Sequence, residues 1–208
     1  MRIKKLKSGF EKLTKEKARI IAHLIGDGVH YITKHDYVLK YEVRDEESLK
    51  QFNDDIIKVY GLEPSWEWNT SGITGEPIKF VRLRAKLAFE DLVKYATYFS
   101  KDWKLKPLVL NASKEIKREF LRALFDDEGS VRSKYEIYLY SINKKGLIQI
   151  KSILKEFKID SKIKSGFGQR KNVYALIVKD LKLFHKKIGF NSTEIRHPQS
   201  QIGGLLAR

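Results

Sequence analysis

The 208 residues carry 42 Lys and Arg against 26 Asp and Glu, a formal charge of +16 with a pI near 9.8, and no cysteine. The missing cysteine excludes a disulfide framework and a thiolate zinc site. A hydrophobic content of 42% with 12% aromatics excludes wholesale disorder, and no apolar run approaches the length of a membrane span. The cation surplus points to nucleic acid as first partner, supplying affinity without sequence choice; its rival is a lysine-rich solubilising surface.

In chain order, the N-terminal MRIKKLKSGF is basic but lacks the apolar stretch and cleavage site of a signal peptide. Thr14 is a natural N-cap, with Glu16 in the first turn, for a helix running to about Asp27. Ala18, Ala22 and Gly26 form a stripe of small side chains that lets a second helix approach closely. Gly28 then suits a left-handed cap. Beyond it the period becomes alternating, with strands over 29–34 and 37–44 turning at His35-Asp36. Leu39, Tyr41 and Val43 fall on one face, Lys40, Glu42 and Arg44 on the other. A helix over 46–60 is closed by Gly61 and Pro64. Strands at 65–70 and 77–84 follow, Arg82 and Arg84 sharing a face with Phe80, and then a helix over 86–98.

Residues 101–112 form a connector. Ser113 caps a second helix ending at Glu128, and the order recurs: strands near 130–134 and 136–143, a helix at 145–157, strands at 160–166 and 172–178, and a helix at 180–188. A tail occupies 191–208. The chain therefore reads as α+β, with two αββαββα repeats, 14–100 and 113–190, each carrying an antiparallel four-stranded sheet. We expect them to form one pseudo-symmetric domain over 1–208.

The strongest repeat signal is the pair IIAHLIGDG, residues 20–28, and LRALFDDEG, residues 121–129. Each runs from an apolar helix into an acid and a glycine, and the acids Asp27 and Glu128 stand 101 residues apart. An acid at a helix C-terminus is mildly repelled by the helix dipole. Two at matched positions ask for a cation.

These segments resemble the two signature motifs of the LAGLIDADG homing endonucleases in their single-chain, two-repeat form. The match is close at Gly26-Asp27-Gly28, and holds at Leu121, Ala123, Phe125, Glu128 and Gly129. Arg122 and Asp127 depart from the pattern, where small or apolar residues are usual. The resemblance implies that the motif helices pack side by side and that Asp27 and Glu128 are the catalytic carboxylates. They would hold two or three divalent cations, Mg²⁺ being the natural choice, with Gly26 and Asp127 beside them. Ca²⁺ is expected to support binding without cleavage. Lys106 matches the family's catalytic lysine, with a counterpart near Arg196-His197-Pro198. Asp45 and either Asn143 or Lys144 match its water-ordering polar positions.

The sheets would form a DNA-binding saddle. Its base-reading candidates are Tyr31, Thr33, Lys40, Glu42, Arg44, Arg82 and Arg84 in the first repeat. In the second they are Arg132, Lys134, Ser141, Lys162, Lys164, Asn172 and Tyr174. Strands of about eight residues span about 27 Å, or about eight base pairs per repeat, giving an asymmetric duplex site of about sixteen to twenty. The implied activity is a metal-dependent double-strand break made by a monomer that needs no protein partner and no membrane. The expected location is the cytoplasm, with access to the chromosome. No splicing-type Cys, Ser or Asn arrangement surrounds the repeats, so we expect an intron-encoded protein. A maturase binding intron RNA on the same fold is the alternative.

Overall fold

The structure, a computed structural model, describes residues 6–72, 74–132, 136–167 and 172–191. Thr14 and Ser113 start the two motif helices, α1 (Lys15–Ile25) and α5 (Lys114–Glu128), each hydroxyl accepting a first-turn backbone N–H, from Lys17 and Ile116 respectively. Glu16 and Glu115 follow where the helix dipole favours acids. Each helix passes directly into a strand, β1 (Gly28–Ile32) and β7 (Gly129–Val131). Neither glycine is left-handed, which corrects the cap expected at Gly28. Close approach demands them instead. A Cβ on Gly28 would lie 2.6 Å from the His23 carbonyl oxygen, and one on Gly129 only 2.2 Å from that of Phe125.

The first repeat continues through β2 (Tyr37–Glu42), α2 (Glu46–Tyr60), β3 (Ser65–Thr70), β4 (Pro77–Arg84) and α3 (Lys86–Val93). The helix expected over 86–98 stops at Val93. Ala96–Thr97 instead pairs as β5 with β6 (Lys104–Leu105) in a two-stranded ladder, before the short helix α4 (Pro107–Leu110). After α5, the second repeat runs through β8 (Ile137–Ser141), α6 (Lys144–Glu156), β9 (Ser161–Phe167), β10 (Val173–Val178) and α7 (Leu181–Lys187).

Both four-stranded sheets are antiparallel and share one order, β1-β2-β4-β3 and β7-β8-β10-β9. Alternation divides each into two faces. Leu39, Tyr41, Val81 and Leu83 of the first sheet join Leu139, Leu176 and Val178 of the second in a single buried cluster with the helices, running from Ala18 to Ile188. The other faces turn away from the helices. In the first sheet that open face carries Lys40, Glu42, Phe80, Arg82 and Arg84, as alternation in β2 and β4 predicts.

Helices α1 and α5 pack against each other. Arg19 meets Glu119, and His23 meets Asp127 one to two turns further along both helices, so the two run parallel and end together. Ala18, Ala22 and Ala123 are fully buried. Arg19 also makes a two-pronged bond to Asp55 of α2 (2.8 and 2.6 Å), tying three helices with one guanidinium.

Candidate metal and nucleic-acid site

The motif acids sit where the helices end. Gly26 caps α1 and Asp27 follows it; Glu128 is the last residue of α5; both acids are half-buried. The residues before them touch: a Cβ built on Gly26 would fall 2.7 Å from Asp127 Oδ2 and 2.8 Å from Asp127 Cβ. That contact brings the segments bearing Asp27 and Glu128 together, one from each repeat. Among the described residues no group of three or more His, Cys, Asp or Glu that could hold a metal ion converges, so a cation here would be held by the two motif carboxylates with backbone oxygens, water or phosphate. Such a set suits Mg²⁺, which binds through one or two carboxylates and completes its shell with water and phosphate.

Asp127 takes a different place from the ligand position expected of it. Its side chain is buried, its Oδ1 accepts the Tyr41 hydroxyl at 2.5 Å, and its Oδ2 lies 3.0 Å from His23 Nδ1. The carboxylate is thus committed to the first repeat's core and serves the helix interface. Burial by itself lowers the pKa of the His23 imidazole, but the Asp127 carboxylate, aided by Asp126 and Asp55, outweighs that and raises it. The pair is a buried ion pair between the repeats. His23 lies inside the first motif segment, yet its role is not legible there, because its partner lies 104 positions away.

Lys106, half-buried at the N-cap of α4, donates its ammonium to the Val93 carbonyl at the end of α3, 2.5 Å away. Asp45 and Asn143 cap α2 and α6, accepting the N–H groups of Glu47 and Ser48 and of Gly146 respectively, and Asn143 also donates to the Trp103 carbonyl. Lys144 lies over the Tyr174 ring. The Asp45 and Asn143 side chains are thus both engaged as helix caps. Arg196, His197 and Pro198 lie outside the described residues, as does Lys134.

The open face of the first sheet gathers Tyr31, Lys40, Glu42, Arg82 and Arg84. Its cations are paired: Lys40 with Glu42 at 2.6 Å, Arg84 with Asp36 at 3.5 Å, and Arg82 with Glu67. Arg44 lies beyond the end of β2, exposed and paired with Glu76 at 2.8 Å. The Thr33 hydroxyl accepts the Asp36 and His35 N–H groups and so builds the β1–β2 turn.

The second sheet divides differently from expectation. Register pairs Tyr174 with Ser141, and Ala175 with Tyr140 and Lys164. Arg132, Lys162 and Lys164 therefore belong to the open side, where Arg132 lies over the Tyr140 ring. Ser141 and Tyr174 face the helices, Tyr174 packed on the main core and Ser141 accepting the Asn143 N–H, so neither is placed to read bases. Asn172 is exposed just before β10. The sequence reading missed what fills this open face, a second apolar cluster of Tyr140, Val173, Ala175 and Ile177 with Tyr138 and Phe167 around it. The alternation of Tyr138 and Tyr140 in IYLYS was the available signal.

Comparison with known proteins agrees with this architecture. Residues 115–189 match the family model for a LAGLIDADG-like domain. The solved structure of I-DmoI in complex with DNA and Mn aligns with a TM-score of 0.65 at 15% identity, covering 88% of this chain and 100% of that one. I-WcaI, a homing endonuclease bound to its DNA recognition sequence, gives 0.63 at 16% identity, covering 88% and 85%. Full-length DUF199/WhiA from Thermatoga maritima gives 0.57 at 15% identity, covering 95% of this chain and 64% of that one. No curated protein sequence matches the chain.

Proposed function

This chain has the single-chain LAGLIDADG homing endonuclease fold, with a LAGLIDADG-like domain in its second half, and from that premise we propose that it is a site-specific DNA endonuclease, encoded within an intron, that cuts both strands of a long asymmetric duplex site. One observation carries the reading: matched acids, Asp27 and Glu128, stand at the joined ends of two parallel helices.

Asp27 and Glu128 would hold the divalent cations, most naturally Mg²⁺, which when bound supply positive charge at the scissile phosphate and a more acidic water. Each repeat contributes one carboxylate, so neither half is complete alone. Lys106 is assigned the cationic role beside the phosphate. Both acids are half-buried, so part of each residue reaches solvent.

The test is cleavage of a randomised duplex library with Mg²⁺ by the parent, Asp27→Asn and Glu128→Gln. Each variant is expected to lose double-strand cutting by on the order of 1000-fold while binding in Ca²⁺ stays close to the parent's. Full cutting by either variant refutes the assignment. Salt-matched titration with a structured intron RNA separates the maturase reading, which requires RNA to bind more tightly than duplex DNA.

A further inference from the structure

The charge surplus is not shared between the repeats. Residues 14–100 hold 13 Lys and Arg against 14 Asp and Glu, whereas residues 113–190 hold 19 against 9. The first repeat is thus slightly acidic overall, and the second carries most of the +16. The open sheet faces repeat the contrast. On the first, Glu67 of β3 holds both Arg82 and Arg84, and Glu42 holds Lys40. On the second, Arg132, Lys162 and Lys164 form no ion pair among the described residues; Arg132 lies over the Tyr140 ring, and Lys164 and Lys162 pair in register with Ala175 and Ile177. Lys162 is pushed below the ordinary lysine range by its hydrogen bond with Lys179, by desolvation and by the nearby charges of Lys164 and Lys179, which together outweigh the opposing charge of Glu136.

On the reading that this protein binds duplex DNA, we infer that the repeats divide the work: the second captures the duplex through its phosphates whatever the sequence, and the first discriminates, with Glu67 as its gate. Unpaired cations exchange counterions for phosphates at once, and that gain does not depend on the bases. Arg82 and Arg84 must leave Glu67 before they can contact DNA. A bidentate bond to a guanine edge compensates for that exchange, and a mismatched base edge does not. Glu67 therefore suppresses indiscriminate binding by this half, a device that rejects rather than attracts.

The test measures anisotropy of a labelled arbitrary-sequence duplex of about 30 base pairs in Ca²⁺, from about 50 to about 300 mM salt, and then of a site selected from a library. Lys162→Gln/Lys164→Gln is expected to weaken arbitrary-duplex binding about tenfold and to flatten the log–log salt slope by about 2. Lys40→Gln/Arg82→Gln is expected to move the slope by less than about 1 and to lower the preference for the selected site about tenfold. Glu67→Gln is expected to tighten arbitrary-duplex binding severalfold and to reduce that preference. Equal slope changes for the two double variants, or an unchanged preference in Glu67→Gln, overturns the division of labour and leaves the nuclease reading standing. Failure of the parent to bind any duplex overturns both. Parent-like circular dichroism and melting separate these effects from unfolding.

Discussion

Gly26 of the first motif lies directly against Asp127 of the second: a Cβ on the glycine would stand 2.7 Å from the carboxylate oxygen. The glycine is the space that the aspartate fills. Gly26→Ala is expected to overpack this contact, at a cost of about 1–3 kcal/mol, lowering Tm by roughly 3–10 °C for a chain of this size. Calorimetry of the variant checks this, and an unchanged Tm would mean that the helix ends are looser than described.

The ion pair beneath that contact gives a pH signature. His23 titrates above 6.5 when folded, because Asp127 more than offsets its burial. The stability it contributes is therefore full below about pH 6.5 and is lost as pH rises through the folded pKa. His30 has the opposite sign. Burial, with its ring stacked on Phe89 at 3.6 Å, lowers its pKa from 6.5 to about 4, so stability drains away as pH falls from about 6.5 toward 4. Urea midpoints against pH should show His23→Gln farthest below the parent in mild acid, the gap closing as pH rises, and His30→Gln flattening the acid limb. A gap that ignores pH would remove His23 from this role.

Arg19 joins Asp55 and Glu119 across three helices, with its own side chain 14% exposed and the two carboxylates at 5% and 14%. Removing the cation leaves two partly buried acids facing each other. Arg19→Met should cost about 3–5 kcal/mol. The double variant Arg19→Met/Asp55→Leu should recover much of that loss in denaturant titrations.

Metal removal should separate binding from cutting. With EDTA, cleavage is expected to stop, and restoring Mg²⁺ should return it, since two carboxylates without a cation only repel the phosphate. Gel assays of cut product against time decide this, and cleavage in EDTA would exclude the carboxylates as metal ligands.

The face assignment in the second sheet is also open to trial. Tyr138→Phe removes a polar group from the open face and should weaken arbitrary-duplex binding severalfold without changing base preference. Ser141→Ala should leave the affinity unchanged, because that hydroxyl serves the α6 cap. Anisotropy titration of an arbitrary-sequence duplex with each variant reads this out.

Much of this could be read before any coordinates, and for identifiable reasons. Strand β2 alternates cleanly between apolar and charged residues, so its open face was assigned correctly from LKYE. The caps Thr14 and Ser113 precede apolar periodic runs and marked both motif helices. By contrast, β10 reads VYALIV, apolar on both sides, so period two cannot choose a face, and Tyr174 packs on the core rather than the open side. The burial of both faces is itself the cause, since the open side carries its own apolar cluster. The contacts of Asp127 and Lys106 are not legible in the sequence for another reason. Their partners, His23, Tyr41 and Val93, come from elements that only folding brings near.

The fit of Asp127 beside Gly26 also makes the halves unlike as building blocks. Two copies of the second would bury a carboxylate against its twin, and two copies of the first would leave an unfilled hole with an unanswered imidazole beneath it. Cut within the connector and expressed as separate fragments, the halves should seek each other rather than themselves, a ready-made orthogonal pair whose reassembly restores both acids at once.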